Sequence, residues 1–215
     1  MTGDTSTVLT RRRGLLERAI RYARTVVVQV RPADLARPTP CAGWDLLDLM
    51  RHLNESVAAL REAVEHACVF PGPAPSGVGT DVLETFAVQS GLLLSGWDEQ
   101  RAEGSVTVGR APVPGLVVAN AGAVELAVHG WDVAQACGLP DVIPLDLAAH
   151  LLAVARWVVP WPRFPQFGPE VPARGARAAD ERLLAFLGRR PLLERAPNAR
   201  GGPGRLAGAP TGFPN

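Results

Sequence analysis

Glu125 and His129 stand four residues apart in Val-Glu-Leu-Ala-Val-His-Gly-Trp-Asp (124–132), a stretch whose other members are mostly apolar. On a helix the two side chains share one face. Burying either group alone would cost roughly several kcal/mol or force its pKa to move, so something must compensate. A mutual ion pair with a purely structural role satisfies part of that demand. A divalent metal ion satisfies it more fully, because Glu and His at this spacing present an oxygen and a nitrogen ligand from a single helix.

A third ligand then has to come from a neighbouring element, and the remaining histidines are His52, His66 and His150. His52 lies on the flank of the apolar seam Leu46, Met50, Leu53 and Val57, about 120° from its centre by helix geometry. His66 is about 21 Å further along the same axis, too far to share an ion with His52. It reads as a favourable charge at a helix C-terminus. His150 repeats the spacing to Asp146 on a less apolar segment, where a solvated face is the better reading.

Around these residues the apolar spacing predicts helices over 7–31, 46 to about 70, 80–101, 114–137 and 145–159, with a short last one over 178–187. Asp45 is a start signal for the second, Pro71, Pro73 and Pro75 stop it, and Gly138 with Pro140 stops the fourth. Residues 105–113 alternate weakly and read as a loop. The final stretch, 197–215, holds nine Gly or Pro and is expected to be disordered. Four long helices joined by turns predict an all-α antiparallel bundle over 1–191, followed by a Gly/Pro-rich tail over 192–215.

The composition removes several functions. All 22 basic residues are Arg, so Schiff-base lysines, lysine general bases and P-loop phosphate binding are excluded. A net charge of +1 supplies no field for nucleic acid or anionic membrane, and Arg11, Arg12 and Arg13 read as a solvated face without interleaved aromatics. The apolar run 116–137 carries Asn120, Glu125, His129 and Asp132, which argues against a membrane span. Cys41, Cys68 and Cys137 are too few and scattered for a disulfide framework, so a reducing cytoplasm is expected, with no export signal at the N-terminus. Cys41 reads as a small buried hydrophobe in preference to a ligand or redox thiol. Trp44 and Trp131 read either as walls of the site or as core, and Asp132 as an orienter of a ligand imidazole or as a plain surface carboxylate.

Three blocks occur together: Pro-Thr-Pro-Cys-Ala-Gly-Trp-Asp (38–45) with Leu49 and His52, Glu125-Leu-Ala-Val-His129-Gly-Trp-Asp, and Phe-Gly-Pro-Glu-Val-Pro (167–172) with Leu-Ala-Phe-Leu-Gly-Arg (184–189). In this order, over roughly residues 8–191, they resemble an actinobacterial branch of the DinB-like superfamily, the branch of the mycothiol-dependent maleylpyruvate isomerase. The resemblance implies a DinB-like four-helix bundle binding a divalent ion, commonly zinc. The ligands it implies are His52 from the second helix with Glu125 and His129 from the fourth, and none from the first.

Two imidazoles and one carboxylate leave a coordination position open, the pattern of a catalytic zinc site. A thiol bound there would ionise near neutral pH and, as a metal-bound thiolate, attack an electrophilic carbon. The expected function is therefore a transferase or isomerase using mycothiol or a similar low-molecular-weight thiol on an electrophilic small molecule. The isomerase carries a further C-terminal domain, where this chain predicts a short helix and a tail, so the resemblance does not extend to maleylpyruvate as substrate. The same three ligands would also suit non-haem iron, or a non-catalytic metal-sensing module. Pairing with a second copy of the chain is left open.

Overall fold

Apolar residues recurring every three and four positions bury one face of each long helix, and that burial builds the core. The computed structural model describes residues 5–70, 81–97, 104–140, 142–159, 168–172 and 178–190, with side chains of the first helix described from Gly14 onward. Six helices are present among them: α1 (Thr5–Val27), α2 (Leu46–His66), α3 (Val82–Gly96), α4 (Gly115–Cys137), α5 (Leu145–Val158) and α6 (Ala179–Phe186). A three-stranded sheet, β1 (Cys68–Val69), β2 (Ser105–Val108) and β3 (Ala111–Pro114), accompanies them, with β1 parallel and β3 antiparallel to the central β2. The architecture is thus mostly helical, and the small sheet departs from the all-α expectation.

The described segments also revise several boundaries. α1 stops at Val27, and Pro32 opens a short 3-10 turn, Pro32–Asp34, where helix was expected to continue to residue 31. α2 ends at His66 and not at the prolines: Ala67 adopts the left-handed conformation (φ 53°) and returns its N–H to Ala63, which frees Cys68 and Val69 to pair with Thr107 and Val108. Asp81 caps α3, its Oδ1 accepting from Leu83 N at 2.8 Å. Residues 105–113 form most of a hairpin, with Val106 opposite Val113, because Val106 buries one face of a segment whose alternation was weak. The tail over 192–215 lies outside the described residues.

α4 is buried along most of its circumference, which makes it the central element. α1 lies against α4 and α3, and α2 against α3 and α4, so these four helices contact one another in a closed ring; α5 packs on α4 and α1, and α6 on α5. No described helix is long and apolar enough to cross a membrane. Close approach of α1 to α4 depends on Gly130, where a Cβ would lie 3.2 Å from the Ala23 Cα and 3.2 Å from the Tyr22 ring. That contact is one residue from His129.

The connection from α1 to α2 is fixed by charge. Asp34 is buried and accepts from the Arg31 guanidinium at 2.9 and 3.1 Å, with the Arg37 Nε 3.3 Å away. Arg37 also donates to the carbonyl of Ala136 at the end of α4 (3.2 Å), which ties this connection to the central helix. The Arg31 hydrogen bonds, aided by the charges of both arginines, hold the Asp34 pKa at about 2.

Two outcomes are expected. Gly130→Val should destabilise the protein by about 1–3 kcal/mol through overpacking against the α1 backbone, read from the midpoint of urea unfolding. Because the folded-state pKa of Asp34 is depressed, its contribution is present in full well above 3.8 and is lost as the pH falls through about 2. Asp34→Asn should therefore lower Tm at neutral pH, and the gap from wild type should close over that acid range.

Candidate metal centre

The turn 38–45 is built by its own side chains. Thr39 Oγ1 accepts from Cys41 N (3.1 Å) and donates to the Trp44 carbonyl (3.0 Å), and Asp45 Oδ1 then caps α2 by accepting from Asp48 N (2.9 Å). This arrangement sets Trp44 over the first two turns of α2, its ring edge-on to His52 with centroids 5.0 Å apart and stacked on His129 at 6.5 Å.

α2 and α4 then bring the three expected donors together. His52 Nε2 lies 2.6 Å and His129 Nε2 3.3 Å from the same carboxylate oxygen, Glu125 Oε1, and all three donor atoms fall within 4.8 Å of one another. Ser56, one turn beyond His52, completes that oxygen's partners by donating from 3.3 Å. Zinc bonds of about 2.0–2.2 Å in tetrahedral geometry would separate neighbouring donors by about 3.3 Å. The separations of the two imidazole nitrogens from Glu125 Oε1, 2.6 and 3.3 Å, lie within about 0.7 Å of that spacing, so the residues present fit a divalent ion.

A second group of polar side chains lies behind His129. Its Nδ1 is 2.9 Å from Asp132 Oδ2, and Asp132 is fully buried. Cys41 Sγ donates to the same Oδ2 over 3.3 Å and lies 3.8 Å from Nδ1. Cys41, His129 and Asp132 thus offer another converging set of donors, but the Arg189 guanidinium already stands against two of them. The Arg189 guanidinium places Nε 3.1 Å from each Asp132 oxygen and Nη2 3.8 Å from the Cys41 sulfur.

The electrostatics follow from this alternation of signs. Burial pushes the Glu125 carboxyl up, but the charge of His129 and hydrogen bonds from both imidazoles outweigh it and hold the group well below the usual carboxylate range. Burial pushes His129 down, yet Glu125, Asp132 and Cys41 together raise it well above the ordinary imidazole value. Burial likewise opposes the ionisation of Asp132, and His129 with Arg189 reverses that.

One side of the centre is open. Gly43, Trp44, Asp48, Arg51, His52 and Glu55 line a shallow cavity of about 430 Å³, and His52 retains 33% of its side-chain exposure. Trp44 is therefore a wall of the site, whereas Trp131 is core. Asp132 is buried against His129 Nδ1. His66 sits in the last turn of α2, 4.0 Å from Glu65. Asp146 pairs with Arg18 at 2.5 Å, and His150 Nδ1 lies 2.6 Å from the Asp146 carbonyl, so neither joins the centre.

Cys41 is corrected from buried hydrophobe to polar participant: it is only half-buried, and its neighbours are a carboxylate, an imidazole and a guanidinium. Ser56 and Arg189 carry no sequence signal of their own as site residues. Ser56 is detectable only as a polar residue at i+4 from His52, and Arg189 only as the last residue of the block 184–189.

Comparison with known proteins places these elements in a family. Residues 16–134 match the model of the mycothiol maleylpyruvate isomerase N-terminal domain, a span holding His52, Glu125 and His129 but ending before Arg189. The chain is also 30% identical over 177 residues to uncharacterised proteins from two strains of Mycobacterium tuberculosis, covering 76% of this chain and 90% of theirs. No solved structure matches it. The match over 16–134, which runs from α1 through most of α4, makes the chain a member of the mycothiol maleylpyruvate isomerase N-terminal domain family, within the DinB-like superfamily.

Proposed function

We propose that this protein is a metal-dependent enzyme that uses a low-molecular-weight thiol, mycothiol in an actinobacterial cytoplasm, to transfer to or isomerise an electrophilic small molecule. The observation that carries the reading is the convergence of two Nε2 atoms, from α2 and α4, on one oxygen of Glu125 beside an open cavity. His52, Glu125 and His129 are the proposed ligands and zinc the proposed ion, a set of two nitrogens and one oxygen being one that catalytic zinc accepts. When bound, such an ion acts as a Lewis acid that favours ionisation of a thiol at a free coordination position. The ring of α1, α4, α2 and α3 is read as the antiparallel DinB-like bundle, with α5 and α6 as its extension.

The chain's own residues supply the rest. Asp132 accepts from His129 Nδ1–H, which turns Nε2 toward Glu125 and fixes the imidazole plane. Ser56 holds the Glu125 oxygen from the α2 side. Trp44 covers two imidazole faces and keeps water from that side of the ligands, while the cavity past His52 admits a small molecule. Arg51 on the rim, 3.6 Å from Asp48, is placed to meet a carboxylate on the thiol or the substrate.

Elemental analysis after dialysis against zinc should find about one ion per chain, and His52→Ala or His129→Ala should lose it. Mycothiol-dependent consumption of an electrophile panel should fall at least about 100-fold in either variant, beyond the 10–100-fold typical of outer-shell changes. Full activity in His129→Ala would overturn the reading. Zinc at about 100 times its Kd should add ~2.7 kcal/mol of stability and raise Tm by roughly 5–10 °C. Scanning calorimetry should show no such rise in His129→Ala.

A further inference from the structure

Arg189 stands 55 residues beyond the end of the family match, yet its guanidinium reaches into the group behind His129. Its delivery is specified by backbone. Gly188 takes the left-handed conformation (φ 75°), and the N–H groups of Gly188 and Arg189 return to the carbonyls of Ala185 (3.1 Å) and Leu184 (2.8 Å), closing α6 in a Schellman motif. A Cβ at residue 188 would fall 2.8 Å from the Pro169 carbonyl oxygen, so only glycine fits there.

At the other end of the contact, Asp132 is fully buried, and an ionised carboxylate there requires a cation. Arg189 supplies it, with its side chain 14% exposed and three N···O distances of 3.1 Å. We infer that Arg189 is a positioning residue for the metal centre: its fork fixes the orientation of the Asp132 carboxylate, and Asp132 in turn holds His129 with Nε2 aimed at Glu125. This rests on the metal reading above and deepens it. It assigns the segment after α5 a part in the site, and it explains why Cys41, His129 and Asp132 do not form a second ion site, since the guanidinium already occupies it.

The test uses Arg189→Met in the full chain, with two measurements. The first is Co(II) affinity by titration of the visible absorption, expected to fall 10–100-fold, as is typical for loss of an outer-shell partner. The second is the His129 Nδ1–H proton resonance in the metal-free protein, protected from exchange in wild type and expected to be lost in the variant. Arg189→Lys keeps the charge without the fork and should fall between wild type and Arg189→Met in both measurements. If Arg189→Met does not fold, the double variant Asp132→Asn with Arg189→Met, which removes the stranded charge as well, carries the same expectations. Co(II) affinity within twofold of wild type together with a retained Nδ1–H signal would overturn the inference while leaving the metal reading intact. Should wild type bind no Co(II), the metal reading fails, and the proton signal alone decides whether Arg189 positions His129.

Discussion

An ionised carboxylate inside an apolar helix has to be neutralised by something brought to it, and in this protein that demand organises the centre of the molecule. Glu125 projects from α4, whose other surfaces are packed against α1, α2 and α5. Its charge is supported by imidazoles on two different helices, His52 and His129, and by the hydroxyl of Ser56. Glu125 keeps 28% of its side-chain exposure, so loss of one of these partners leaves a half-buried charge, more costly than loss of a fully exposed ion pair. The mutual position of α2 and α4 is therefore coupled to the chemistry at their contact: whatever places His52 against Glu125 also fixes the core packing, and the reverse.

This coupling explains what could be read from the sequence and what could not. Glu125 and His129 were legible because their polarity contradicts the apolar run around them, and such a contradiction has few physical solutions. The seam of α2 was legible for the same reason in reverse, with Leu46, Leu49, Met50, Leu53 and Val57 all fully buried where periodicity put them. His52 stood only on a flank by geometry, and the motif around it was needed to draw it inward. The hairpin and β1 escaped because two- and four-residue strands carry almost no periodic signal, and Val106 is the one residue of that segment that is deeply buried. Cys41 was misread because its neighbours are set by a turn whose geometry depends on Thr39, Gly43 and Asp45 together. Arg189 was beyond reach from local pattern alone, since its partner is 57 residues away in the chain.

The tertiary setting also separates two clusters that composition alone would treat alike. Both offer three donor atoms within 4.8 Å of one another, and they share His129. What distinguishes them is the cation already present. On the Asp132 side a permanently charged guanidinium occupies the carboxylate, and arginine cannot be deprotonated to make way for a metal ion. On the Glu125 side the partners are imidazoles, which, unlike a guanidinium, can give up a ring proton to a metal ion. The two sides of His129 thus differ in kind: one is closed by a guanidinium, and the other presents imidazole and carboxylate donors.

The order of charges gives the centre a direction. From the cavity inward the side chains run His52, Glu125, His129, Asp132, Arg189, alternating between basic and acidic. His52 is one-third exposed at the outer end and Asp132 is sealed near the inner one. Each interior member is flanked by two of opposite character. The inner end is pinned by a group that does not titrate in the physiological range. A small molecule entering this cavity meets His52 first, beside the rim residues Asp48, Arg51 and Glu55. A cluster laid out in this way is held from behind by Asp132 and Arg189 and meets solvent past His52.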